Sequence, residues 1–313
     1  MTSTHDLSAA TARDAWPELP PLEVWQATRD TVHMWTQIVG KTRLAAAPPV
    51  NHWWHVPFYV TARGIHTSPM PAGSRTFDVE FDFVDHQLVV RTNDGANRTL
   101  ALVPRAVADF YERFQGLLRE LNIEVPIWPE PVEVETAIPF PADREHSAYD
   151  ADTMQRFWRA LVQADRVVKA FRGRFLGKVS PVHFFWGGFD LACTRFSGRP
   201  APPHPGGVPH VADRVMHEAY SHEVSSCGFW AGGRGIGEAA FYSYGYPEPD
   251  GFKEAAVTPA DAFYHRELGE FVLPYESVRT ASDPDVTLMG FLQTTYDAAA
   301  DRGGWDRATL ERR

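Results

Sequence analysis

Cysteine is nearly absent from this 313-residue chain. Only Cys193 and Cys227 occur, which excludes a disulfide-dense secreted scaffold. No stretch approaches the roughly eighteen apolar residues that a spanning helix needs, and the N-terminal segment carries no apolar signal core. Basic residues form no cluster, and 40 acidic against 30 basic side chains leave a formal charge of −10. The electrostatic footprint of a nucleic-acid binder is therefore missing, and an anionic membrane surface is a poor partner. These absences describe a soluble, reduced, cytoplasmic protein with neither nucleic acid nor membrane as partner. Oligomeric state and cofactors are left open by the same residues.

Rings are plentiful. Aromatics make up 13% of the chain, with ten Trp, enough for thick cores or ring-lined cavities. In chain order, residues 1–21 read as a tail, loose over 1–15 and ending in a Trp-Pro lead. Leu22, Trp25, Val32, Trp35 and Val39 share one helical face, with Gly40 as a stop. Asn51 to Arg63 reads as a ring-rich strand with an edge or bulge at Pro57. Phe77, Val79, Phe81 and Phe83 alternate with acids as a half-buried strand. Two turns lead on through short strands near Leu88–Val90 and Thr99–Leu102. Val107, Phe110, Phe114, Leu118 and Leu121 then form an amphipathic helix.

A proline-rich connector, 124–149, separates this first unit (22–123) from a second (150–306). The pattern there begins again. Met154, Phe157, Trp158, Leu161, Val168 and Phe171 line a helix, and a strand follows at His183. More strands are expected at Glu223–Trp230, Ala239–Tyr244 and Glu270–Leu273, and a last helix is capped by Asp283-Pro284. Trp25 and Trp158 stand 133 apart (158 − 25); His52 and His183 stand 131 apart (183 − 52). The expected fold is α+β: two tandem pseudo-repeats, each an antiparallel four-stranded sheet flanked by helices. The second repeat alone carries a long Pro/Gly loop, Gly198 to Asp213. Elaboration of one copy is what a single functional site would look like.

Chemistry concentrates between Ser180 and Trp230. His222 and Glu223 are candidate acid/base residues, although neighbours on a strand point to opposite faces. The bland alternative pairs one with an arginine and leaves the other in solvent. His204, His210, His217 and His222 could hold a metal, joined by His183, but His217 and His222 miss the four-residue helical spacing of a zincin site. Arg195 or Arg199 could clamp an anionic group, or could pair with Asp190. Cys227, after Ser225-Ser226, reads as a buried inert thiol, because the hydrolase elbow is missing. Gly232–Gly237 fits neither a dinucleotide fingerprint nor a P-loop and reads as a hairpin loop.

The leading expectation is a small-molecule site in an aromatic-lined pocket of the second repeat or in the cleft between repeats. His222 and Glu223 are its catalytic candidates. His183, Trp186, Asp190, Arg195, Trp230 and Tyr242 are its ligand contacts. A hydrolase-like or metal-dependent enzyme and a protein-docking scaffold are the competing readings.

The segments Asn51-His52-Trp53-Trp54-His55-Val56-Pro57, His183-Phe184-Phe185-Trp186-Gly187 and Tyr220-Ser221-His222-Glu223-Val224-Ser225, with Phe263-Tyr264-His265 and Leu273-Pro274-Tyr275-Glu276, resemble a bacterial family known only as a domain of unknown function. The resemblance runs from about Trp16 to about Asp306 and implies a single full-length unit of that kind. It implies no activity, cofactor or catalytic residue.

Overall fold

The computed structural model describes residues 15–312. All of the expected tail before Ala15 lies outside the described residues. The first long helix, α1, spans Leu22–Ala46. Gly40 does not stop it. A Cβ at Gly40 would stand 2.3 Å from the Trp186 ring, so glycine is there to let tryptophan lie against the helix. Trp186 is fixed by its indole N–H, which donates to the Val56 carbonyl at 2.9 Å.

The expected strand from Asn51 to Arg63 is mostly turn. Asn51–Trp53 forms one 3-10 turn, and His52 and Trp53 adopt φ of +58° and +62°. That left-handed backbone cannot continue a strand. Only Tyr59–Val60 pairs, as β1. The first sheet then adds β2 (Gly64–His66), β3 (Met70–Ala72), β4 (Arg75–Asp82), β5 (Gln87–Thr92) and β6 (Asn97–Ala101). Its order is β1-β2-β4-β5-β6, with β3 also on β4, and all pairs are antiparallel. Helix α2, Val107–Glu120, follows. The connector forms one 3-10 turn at Phe140–Ala142 and is otherwise irregular.

Helix α3 spans Ala151–Arg172. Asp150 caps it by accepting the Thr153 N–H at 2.7 Å, the usual role of a short acidic side chain at that position. The second sheet comprises β7 (His183–Phe185), β8 (Asp190–Pro200), β9 (His222–Trp230), β10 (Ala240–Tyr246), β11 (Phe263–His265) and β12 (Glu270–Pro274). A short helix, α4 (Asp213–Ala219), lies before β9. The sheet order is β11-β12-β10-β9-β8-β7, again all antiparallel. Helices α5 (Tyr275–Arg279), α6 (Pro284–Arg302) and α7 (Arg307–Leu310) close the chain.

The architecture is α+β, with seven α-helices among the described residues and two antiparallel sheets of six strands. Four strands per sheet were expected. Of the extra ones, β3 and β11 are three residues long and too short to show an alternating pattern, whereas β8 is eleven residues long and was expected only as the tail of the strand at His183 and the loop after it. The sheets meet at their edges: Phe58 and Phe184 exchange reciprocal backbone hydrogen bonds of 2.8 Å. One buried core runs through both halves. Trp35 stacks on Phe110 at 4.8 Å in the first half, Phe157 stacks between Phe189 and Phe229 in the second, and Trp25 meets Phe157 at 5.3 Å between them. No described helix is long and apolar enough to cross a membrane.

Candidate functional site

Strand alternation gives the second sheet two different faces. Leu191, Cys193, Arg195, Cys227, Phe229 and Phe241 turn toward the helices, and Phe229 stacks on Phe157 of α3. The opposite face carries Asp190, Gly228, Trp230, Tyr242, Tyr244 and Glu270. This polar, ring-rich face is the candidate site.

Its centre is Asp190 at the start of β8. The Tyr242 hydroxyl crosses from β10 and donates to the Asp190 carboxylate, with a second contact to the Leu191 carbonyl at 3.3 Å. It can reach because Gly228 lies between them on β9 without a side chain. A Cβ there would meet the Tyr242 hydroxyl at 2.5 Å.

The connector delivers a second carboxylate. Gln37 of α1 clamps Val132 by both amide groups, accepting from its N–H and donating to its carbonyl, each at 2.8 Å. The Glu133 N–H donates to Pro209 at 2.9 Å. Glu133 itself adopts a φ of +59°, a strained conformation for a side-chain-bearing residue and one that clusters at functional positions. Its carboxylate lies against the Gly187-Gly188 turn. The point that a Gly188 Cβ would occupy is 2.6 Å from Asp190 Oδ1 and 3.6 Å from Glu133 Oε2. Two glycines therefore make room for two acids.

Burial raises all three carboxyl groups toward neutrality. Asp190 is pushed up to about 6, with the Tyr242 hydrogen bond acting in the other direction. Glu133 and Glu270 each rise to about 7, by burial and then by the charge of Asp190. Arg234, exposed on the glycine loop between β9 and β10, opposes each shift. It makes no ion pair among the described residues and has a φ of +49°. Tyr220 shares a 2.7 Å hydrogen bond with Tyr244, and burial moves both hydroxyls upward. The Trp230 N–H is buried with no acceptor, and Trp230 is directly opposite Asp190 in the ladder.

Asp190, Trp230 and Tyr242, expected as ligand contacts, thus stand together. The other expected residues do not join them. His183 shares the face but sits at its β7 edge, with its Nε2 3.5 Å from the Tyr59 hydroxyl and its Nδ1 without a partner. Burial, then Arg43 and Arg172, lowers it to about 3, so it is a neutral ring. Trp186 is core. Arg195 points into the helices. His222 lies at the far end of β9, its ring 5.8 Å from His52. Glu223 turns the other way, accepting from Arg199 at 2.7 and 2.9 Å and from Ser197 at 2.8 Å. Such a half-exposed ion pair is worth about 0–1 kcal/mol. Glu223→Gln should accordingly lower the urea-unfolding free energy by less than about 1 kcal/mol; a larger loss would mark the pair as a structural tie.

Of the histidines considered for a metal, His204 packs at a tilt against Tyr220, with ring centres 4.8 Å apart, and against Tyr246 at 5.2 Å, while His210 and His217 are exposed. No group of three or more metal-capable His, Cys, Asp or Glu side chains occurs among the described residues.

A family model of unknown function (DUF5996) matches residues 16–312. The chain belongs to that family. No curated protein and no solved structure matches it. DUF5996 membership spans both sheets and the connector, so the Glu133–Asp190 pairing lies inside one family unit.

Glu133 and Glu270 escaped the sequence reading. Glu133 sits in a segment whose prolines signal only a surface connector. The clamp of Gln37 on Val132, 95 residues apart, is invisible before folding. Glu270 opens a short strand, and alternation alone assigns no site to it. The one available signal was Gly187-Gly188, one residue short of Asp190.

Proposed function

We propose that this protein binds a small organic molecule carrying a basic nitrogen on the outer face of the second sheet. The observation that supports this most is the charge imbalance: among the described residues, three carboxylates, Glu133, Asp190 and Glu270, are opposed by the one exposed arginine Arg234. Burial is the main cause that raises the carboxyl groups, with the charge of Asp190 adding to it at Glu133 and Glu270, and a cation entering there would stabilise their charged forms. Tyr242, Tyr244 and Trp230 offer ring faces of the kind that attract cations, and the unpaired Trp230 N–H suits a ligand acceptor. Asp190 and Tyr242, sharing one proton, are the pair suited to proton transfer if the bound molecule is also a substrate. They replace His222 and Glu223 in that role.

We take the halves as diverged copies: each runs from a long helix through an antiparallel sheet to a closing helix, and the β1 and β7 ends of the sheets meet edge to edge. A reducing compartment is supported by Cys193 and Cys227, register partners that stay unbonded and buried.

Benzylamine, with benzyl alcohol as its neutral counterpart, tests the binding. Tryptophan fluorescence should report saturable benzylamine binding at pH 8, at least tenfold tighter than the alcohol. Asp190→Asn should weaken it by about 10- to 100-fold, or roughly 1.4–2.8 kcal/mol. Equal affinity for amine and alcohol would overturn the reading.

A further inference from the structure

The helix-facing side of the same sheet holds a charge without a counter-ion. Arg195 is 2% exposed. Its guanidinium carbon lies 3.5 Å from the Phe171 ring centre, 4.3 Å from Tyr296 and 5.0 Å from Phe175. Nη2 donates to the Phe171 carbonyl at the end of α3, at 2.5 Å, and Nε has no partner. Among the described residues no carboxylate is within ion-pair distance of it. Glu311 is the nearest acid in electrostatic effect, but its Oε1 already accepts from Tyr296 at 2.9 Å and from Arg307 at 2.5 Å.

Arg195 forms one wall of a cleft of about 340 Å³. Gly173, Arg174, Gln293, Glu311 and Arg312 form the rest. Arg312 is tied by Nε to the Gly173 carbonyl at 2.8 Å and by its backbone N–H to Arg174 at 2.9 Å. Two guanidinium groups are thus moored at one end on the C-terminal carbonyls of α3, the favourable place for cations. Mooring accounts for one donor on each and leaves the rest of the fork over. Ring faces offset part of the cost of burying Arg195, but a desolvated charge calls for an opposite one.

We propose that this cleft binds an oxyanion, the phosphate or carboxylate group of a small molecule, with Arg195 at its base and Arg174 and Arg312 at its rim. Planar, forked donors match such groups in a way that lysine does not. The site is on the opposite side of the sheet from Asp190 and does not depend on it.

The test uses the full chain and sodium phosphate, sodium acetate and sodium chloride at matched ionic strength. Phosphate or acetate should raise the melting temperature about 2–4 °C above chloride at concentrations well over the dissociation constant. The stronger of the two assigns the group. Arg195→Met can fail to fold, so the rim carries the decisive variant. Arg174→Gln with Arg312→Gln should keep the chloride melting temperature within about 1 °C and lose the anion-specific rise. The rise should persist in Asp190→Asn. Equal shifts in all three salts, or a rise undiminished in the rim variant, would overturn the proposal.

Discussion

Gly228→Ala is expected to cost about 3 kcal/mol or more in unfolding free energy, because the clash falls on backbone and not only on a side chain. A Cβ at Gly228 would lie 1.8 Å from the Leu191 carbonyl oxygen and 2.5 Å from the Tyr242 ring carbon and hydroxyl. β8 and β9 would have to separate at the point where Ala192 pairs with Gly228. The double variant Gly228→Ala/Tyr242→Phe removes the hydroxyl contact but leaves the carbonyl in place, so it should recover little. Gly237 is the control. It lies in the β9–β10 loop with nothing within 4 Å of its Cβ position, and its alanine variant should stay within about 0.5 kcal/mol of the parent. Urea midpoints for the three variants decide the matter. If Gly228→Ala unfolds with the parent, Tyr242 does not reach Asp190 across a bare strand.

That glycine shows where the sequence could be read and where it could not. Periodicity exposes α2 and α3, because Phe110, Phe114 and Leu118, or Phe157, Leu161 and Val168, bury one stripe each. Caps expose the start of α6, where Asp283 accepts the Val286 N–H at 3.0 Å. β9, β10 and β12 were legible from alternation within runs of rings. Contacts distant in sequence were not. Gly40 reads as a helix stop because a local window cannot see Trp186, 146 residues on (186 − 40). His52-Trp53 reads as strand because its rings favour one, and the left-handed turn is imposed from outside. His52 donates to the Ala219 carbonyl and accepts from Lys178 at 2.6 Å. Of the site, Asp190, Trp230 and Tyr242 were named from ring-rich strands. Glu133 was not, since its position depends on Gln37, Pro209 and two glycines of another hairpin.

Stability should peak near pH 6.5 and decline on both sides, for opposite reasons. Glu133 and Glu270 titrate near 7 in the fold against an ordinary 4.5, and Asp190 near 6 against 3.8. Between those values the folded chain holds protons that the unfolded chain has released. Their contribution is present at low pH and is lost as pH rises through about 6 to 7. The histidines have the other sign. Burial lowers His33 to about 4 and His183 to about 3, and it also lowers His52, His55, His66 and His204. Their contribution is full above the ordinary 6.5 and is lost as pH falls below it. Each fully coupled proton would give about 1.4 kcal/mol per pH unit, but the three acids are partly exposed and solvent screens them. A drop of a few degrees in melting temperature from pH 6.5 to 8 is the expected size. The triple variant Glu133→Gln/Asp190→Asn/Glu270→Gln should flatten that alkaline limb and leave the acid limb in place. Amine affinity, which needs the carboxylates charged, should rise over the interval in which stability falls. A melting temperature that climbs steadily from pH 6 to 8 would mean that the three acids are ordinary surface carboxylates, and the cation site would go with them.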